Sequence, residues 1–147
     1  MYKRILVATD GSELSAKAVD SALNFAQLAN AELIALNVIA PVAVSYWEGT
    51  PRSQMHDSTA ANDAHSQAGQ AIVHAVKELG KQKGINTQAI TIKSDLVAES
   101  IIAAAQEYEC ELIVMASHGR RGINRMLMGN ETLNVLTHSK IPVLVLR

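Results

Sequence analysis

A chain of 147 residues and 15.8 kDa has room for one domain with a complete core. Hydrophobic residues make up 48% and aromatic ones only 3%, so that core is aliphatic, and a formal net charge of -1 leaves no overall field to recruit nucleic acid or an anionic membrane. No apolar run approaches the ~20 residues that span a bilayer, and the lone cysteine, Cys110, excludes a disulfide within the chain.

The first residues, Met1 to Val7, lead straight into a strand pattern, so the expectation is a cytoplasmic protein without a leader. Ile5-Leu6-Val7-Ala8 reads as a short buried strand, closed by the turn signal Asp10-Gly11-Ser12. Ser12 is a good helix N-cap, and Ala16, Val19, Leu23, Ala26 and Leu28 recur at helical spacing to about Asn30. Leu33 to Ile39 is a second buried strand. Residues 40 to about 57 hold Pro41, Gly49 and Pro51 and are expected to be irregular, with Tyr46 and Trp47 either folding over a ligand or anchoring the loop. A long helix is predicted from about Ser58 to Lys83, with Gly84 as its C-terminal cap.

Thr87 to Lys93 reads as strand three. Ser94 or Asp95 is placed to cap the next helix, in which Val97, Ile101, Ile102 and Ala105 share a face. Cys110 reads as a small core residue, since nothing near it resembles a base. Leu112 to Ala116 is strand four, Gly129 to His138 a helix, and Pro142 to Leu146 strand five. Apolar strands alternating with helices predict a single-domain α/β fold, a parallel sheet with helices on both faces. Ligands of such folds sit at the carboxyl ends of the strands, beside a topological switch point. The loops after strands one, two and four would then line one crevice.

The strand-four loop is the most informative segment. Gly119 and Gly129 bracket nine residues that include Arg120, Arg121 and Arg125, and Gly129 opens a helix. Glycine lets backbone N–H groups approach an anion, a helix start supplies unpaired donors, and guanidinium groups bind phosphate oxygens bidentately. The same residues also suit a tight connection with a solvated basic surface. Neither a Walker order nor Gly-x-Gly-x-x-Gly is present. Thr132 either gives its hydroxyl to a phosphate or satisfies backbone. Asn130 and Glu131 suit a helix start, and Glu131 either points away from phosphates or shares a cation with them. Asp10 either accepts from a ribose hydroxyl or base amine, or forms an Asx-turn. His118 either touches a ligand or orients the loop. His56, His65, His74 and His138 show no metal spacing.

On these residues the chain resembles the universal stress protein superfamily over its whole length. Tyr2 to Ser12 is similar to that family's first strand and turn, Leu112 to Gly122 to its fourth strand and loop, and Ile141 to Arg147 to its last strand. The resemblance implies a Rossmann-like, adenine nucleotide alpha hydrolase-like sheet of five parallel strands in the order 3-2-1-4-5. It also implies homodimers in which Val143 to Leu146 pairs antiparallel with its copy, and an edge strand of that kind calls for covering in its own right.

The ATP-binding branch of that family carries Gly-x-x-Gly, nine residues, then Gly-Ser/Thr. This chain has Ala116-x-x-Gly119, nine residues, Gly129-Asn130, so it departs at Ala116 and Asn130 while Thr132 keeps the second hydroxyl. A methyl at Ala116 would clash if its φ were positive. The resemblance implies adenosine contacts at Asp10 and the backbone of Val38. It implies phosphate contacts at Gly119, Gly129, Asn130 and Thr132, and walls at Ala8, Thr9 and Met115, with His118, Arg120, Arg121 and Glu131 around them. The implied ligand is ATP, or ADP or AMP, with Mg²⁺ as its companion ion. The expected function is a nucleotide-binding stress-response module, with an unidentified protein partner and no role in nucleic-acid or membrane binding. A nucleotide-free interaction module and a slow ATP hydrolase are the alternatives.

Overall fold

The computed structural model describes residues 1–41, 52–119 and 128–147, with the helical backbone alone over 52–59. In chain order it runs β1 (Arg4–Ala8), α1 (Glu13–Ala29), β2 (Glu32–Ile39), α2 (Arg52–Gln82), β3 (Thr87–Lys93), α3 (Val97–Glu107), β4 (Leu112–Ala116), α4 (Asn130–His138) and β5 (Val143–Leu146). The strands form one parallel sheet in the order β3-β2-β1-β4-β5, as the resemblance implies. β1 is central, with Leu6 opposite Ile34 of β2 and Ile113 of β4.

A central strand of a two-sided sheet has no polar face, and Ile5, Leu6 and Val7 are accordingly all 0% exposed. Burying each such side chain contributes about 1.5–3 kcal/mol. Alternation divides them between two cores. Ile5, Val7, Leu33, Ala35 and Val114 pack under α1 and α2, against Ala22, Leu23, Val73 and Val76. Leu6, Ile34, Leu36, Ile113 and Met115 pack under α3 and α4, against Ile101, Ala105 and Val135. Cys110 is buried in the second core, as expected.

The helix ends follow local chemistry, with two corrections. Ser12 caps α1 by accepting from the Ser15 amide, and Asn30 closes it at φ 52. Gly84 takes φ 72 just past α2, where a left-handed residue was expected. The first correction is the start of α2, which lies at Arg52 rather than about Ser58. The helix breakers end at Pro51, a residue that suits the position ahead of a helix, and nothing from Arg52 to Asp57 opposes helix. The second is α3, whose cap residue is Leu96 and has no side-chain hydrogen bond. The Ser94 hydroxyl accepts from the Leu96 amide. The Ala98 amide is instead satisfied by Glu131 of α4, whose Oε2 accepts at 3.0 Å.

Two glycines bring α2 close to the sheet. A Cβ on Gly80 would overlap the Thr87 hydroxyl, and one on Gly69 would lie 2.7 Å from Asn37 Oδ1 and from Ile39.

Candidate functional site

The strand order reverses between β1 and β4, because β2 lies to one side of β1 and β4 to the other. Chains leaving these two strands part company, and their carboxyl ends are where folds of this kind place a ligand crevice. Thr9 to Ser12 leaves β1 there, and Ser117 to Gly119 leaves β4.

On the β1 side the backbone is held from several directions. The Thr9 amide donates to the Leu36 carbonyl at 3.0 Å, and its hydroxyl lies 3.0 Å from Ser15 Oγ. The Asn37 side-chain amide donates to the Thr9 carbonyl at 2.8 Å. The next residue, Asp10, forms the Asx-turn: its Oδ1 accepts from the Ser12 amide at 2.9 Å. Gly11 turns the chain at φ 79, where a side chain would be strained. The other oxygen, Oδ2, reaches towards β4, and a Cβ built on Gly119 would stand 2.5 Å from it. Asp10 and Gly119, remote in sequence, thus meet across the switch point.

On the β4 side the first turn of α4 is tied to the end of the strand. The Gly129 amide donates to the Ser117 carbonyl at 2.8 Å. The buried Thr132 hydroxyl donates to the carbonyls of Ala116 at 2.9 Å and Ser117 at 3.2 Å. A hydroxyl has one proton, and of the two alternatives for Thr132 it is backbone satisfaction that this structure shows. The Gly129 amide is engaged in the same way. Glu131 takes the first of its two alternatives, its carboxylate turned to the α3 amide. What α4 still presents at its start are the first-turn amides of Asn130, Glu131 and Thr132, which have no partner within a helix.

Ala116 lies in β4, buried at 7% exposure in the core under α1, and it is not among the residues with positive φ. The feared backbone strain is therefore absent. Neither Gly119 nor Gly129 is left-handed: Gly129 has φ -61, and the described glycines with positive φ are Gly11 and Gly84. Met115 is buried in the core under α3 and α4, and Ala8 and Val38 pack against that core. Val38 stands one strand further out, in β2 opposite Ile92 of β3. His118 Nδ1 lies 3.0 Å from Ser117 Oγ, while its buried Nε2 has no partner among the described residues. Arg120, Arg121 and Arg125, with Tyr46 and Trp47, lie outside the described residues.

Residues the sequence reading passed over also build this end of the sheet. Asn37, the one polar side chain inside the apolar run Leu33 to Ile39, was the legible signal. Ser15 and Ser117, both buried, carried no such mark. Among the described residues no cluster of His, Cys, Asp and Glu could hold a metal, and no helix is long and apolar enough to cross a membrane.

Comparison with known proteins agrees with this fold. The family model described as the Universal stress protein family matches residues 1–147. The chain is 33% identical over 149 aligned positions to universal stress protein YxiE of Bacillus subtilis, covering 100% of both chains. It superposes on universal stress protein UspA from Lactobacillus plantarum with a TM-score of 0.83 at 24% identity, covering 99% of this chain and 98% of that one. A crystal structure of a universal stress protein in complex with cAMP is similar with a TM-score of 0.71 and 25% identity, over 99% of this chain and 97% of that one.

Proposed function

The chain belongs to the universal stress protein family, and from that premise we propose that it binds an adenine nucleotide in the crevice between the β1 and β4 loops, as a regulatory ligand. The observation that carries the reading is the meeting of Asp10 with Gly119 at the switch point. An ionised carboxylate only accepts hydrogen bonds, so Asp10 fits the hydroxyls of a ribose or the amine of a base. The α4 start, with its first-turn amides and positive dipole end, fits phosphate. Ala8, Thr9, Val38, Met115 and Ala116 supply walls, with Gly119 beside Asp10 and Asn130 towards the phosphates, and ATP, ADP and AMP all match this set. The relative described in complex with cAMP supports the ligand class.

The reading assigns no reaction. Glu131, a carboxylate that could orient water beside a phosphate, is bound to the α3 amide instead. Mg²⁺ would arrive with the phosphates rather than reside in the protein. The assembly we propose is a cytoplasmic homodimer joined by antiparallel pairing of Val143 to Leu146. β5 is an edge strand whose four residues are all half-buried, and Leu133 and Leu136 of α4 are exposed nearby in sequence. A nucleotide shifts such a dimer only through different affinities for its states.

One observation favours the second reading, a nucleotide-free interaction module. The Gly129 amide and Thr132 hydroxyl, two donors expected for phosphate, are already engaged by the carbonyls of Ser117 and Ala116. Thermal unfolding with and without ATP separates the two. Ligand at a hundred times its Kd stabilises the folded state by about 2.7 kcal/mol. A rise in Tm at millimolar ATP supports the nucleotide reading, and an unmoved Tm supports the module.

A further inference from the structure

We infer that Gly119 is a positioning residue for the Asp10 carboxylate, so that the glycine after β4 serves recognition of the nucleoside rather than approach of the phosphates. This rests on the nucleotide reading above and names what one position of that site does.

Glycine in a binding loop is ordinarily explained by a left-handed backbone or by close approach of its N–H to an anion. The first explanation fails, since Gly119 is not among the residues with positive φ. What its missing side chain makes room for is Asp10. Among the described residues a Cβ there would meet only Oδ2 at 2.5 Å and Cγ at 3.6 Å of that residue. Non-bonded heavy atoms settle at about 3.5–4.0 Å, so an alanine would push the carboxylate away.

Asp10 has little freedom to accommodate that push and keep its place. Its Oδ1 is held by the Ser12 amide at 2.9 Å, inside a turn fixed by Gly11 at φ 79. The Gly11 amide donates in turn to the Thr9 hydroxyl at 3.3 Å. The carboxylate must rotate out of the Asx-turn or swing its Oδ2 into the crevice. Either movement changes where the acceptor stands while leaving the core untouched, because Asp10 belongs to neither hydrophobic cluster.

Chemistry decides which part of a ligand would notice. A carboxylate offers acceptors, and a phosphate has no protons to give it at neutral pH and shares its charge. A ribose hydroxyl or an exocyclic amine is a donor. Moving Asp10 therefore removes a nucleoside contact and leaves phosphate contacts alone. Gly129 stands in contrast, since a Cβ there would meet the Ser117 carbonyl at 3.3 Å and not Asp10.

The test is a double-mutant cycle on the full chain, with wild type, Gly119→Ala, Asp10→Ala and the double variant. Each is titrated with ATP, adenosine and tripolyphosphate. We expect Gly119→Ala to weaken ATP and adenosine by the same factor, about tenfold or more for one hydrogen bond to a charged group. Tripolyphosphate affinity should be unmoved, and the substitution should do nothing further in the Asp10→Ala background. Weakened ATP and tripolyphosphate with adenosine spared would overturn the inference, as would independent, additive losses. Urea unfolding of the same four proteins keeps the question separate from nucleotide binding. If wild type binds none of the ligands, the functional reading fails. The positioning then stands when Gly119→Ala destabilises only in the presence of Asp10, and falls when the loss is equal in both backgrounds.

Discussion

The hydroxyl of Thr132 donates to the carbonyl of Ala116 at 2.9 Å, joining the first turn of α4 to the last residue of β4. With the Gly129 amide on the Ser117 carbonyl, it sets where the helix start stands relative to the sheet. The loop's ability to hold an anion depends on that placement, because the remaining first-turn amides point wherever α4 points.

Thr132→Val removes the hydroxyl while keeping its shape and takes that donor from the Ala116 carbonyl, while the Ser117 carbonyl keeps the Gly129 amide. A loss of about 1–3 kcal/mol is expected, with Thr132→Ser retaining most of the stability. Urea denaturation of both variants checks this, and equal stability of Val and wild type would deny the tie its role.

Glu131 stabilises α3 rather than its own helix, through the Ala98 amide. Glu131→Ala should cost about 0.5–2 kcal/mol, the range for a lost helix cap. Hydrogen exchange should quicken at Ala98 and in the first turn of α3. Glu131→Gln, which keeps an acceptor oxygen, should preserve the slow exchange.

The seat of α2 depends on Gly80, whose added Cβ would overlap the Thr87 hydroxyl. Alanine is the better helix former, so propensity alone would make Gly80→Ala stabilising by roughly 1 kcal/mol. Overlap with a buried side chain on β3 opposes this, and overpacking typically costs about 1–3 kcal/mol. A net loss of stability in chemical denaturation is expected, and a net gain would mean that α2 moves aside freely.

Burial pushes the Cys110 thiol up from 9.0 to about 11, with Arg4 opposing. Raising an acid's folded pKa means the unfolded chain loses its proton first. The contribution to stability is therefore complete below pH 9 and declines as pH rises from 9.0 towards 11. Labelling with a disulfide reagent at pH 8 should be slow in the native protein and fast in denaturant. Rapid native labelling would contradict the burial.

If β5 joins two protomers, a lysine at its free edge should separate them. Val145→Lys is expected to shift the protein from dimer to monomer in light scattering with its circular dichroism retained. A dimer that survives the substitution would place the interface elsewhere.

The strands were legible because most are short apolar runs bounded by turn signals, while their order 3-2-1-4-5 came from the resemblance to the family. The helix Gly129 to His138 was legible from its start signals, and Asp10 and Gly119 from the turn and glycine chemistry around them. The start of α2 was missed because Pro51 reads as a loop residue until a helix is seen to follow it. The partners of Thr132 and Glu131 were open in the sequence for one reason. Each side chain had a local and a remote option, and the choice depends on how α4 lies against β4 and α3. Sequence spacing carries no record of that angle. The role of Gly119 was hidden likewise, since its neighbour Asp10 is 109 positions away.

Calorimetric titration of the nucleotide-stripped protein with ATP and Mg²⁺, beside Asp10→Ala, tests the central claim most directly. Binding in the micromolar range, weakened about tenfold or more in the variant, is the result this account predicts. No heat up to millimolar ATP from a folded protein, or equal affinities for the two proteins, would contradict it.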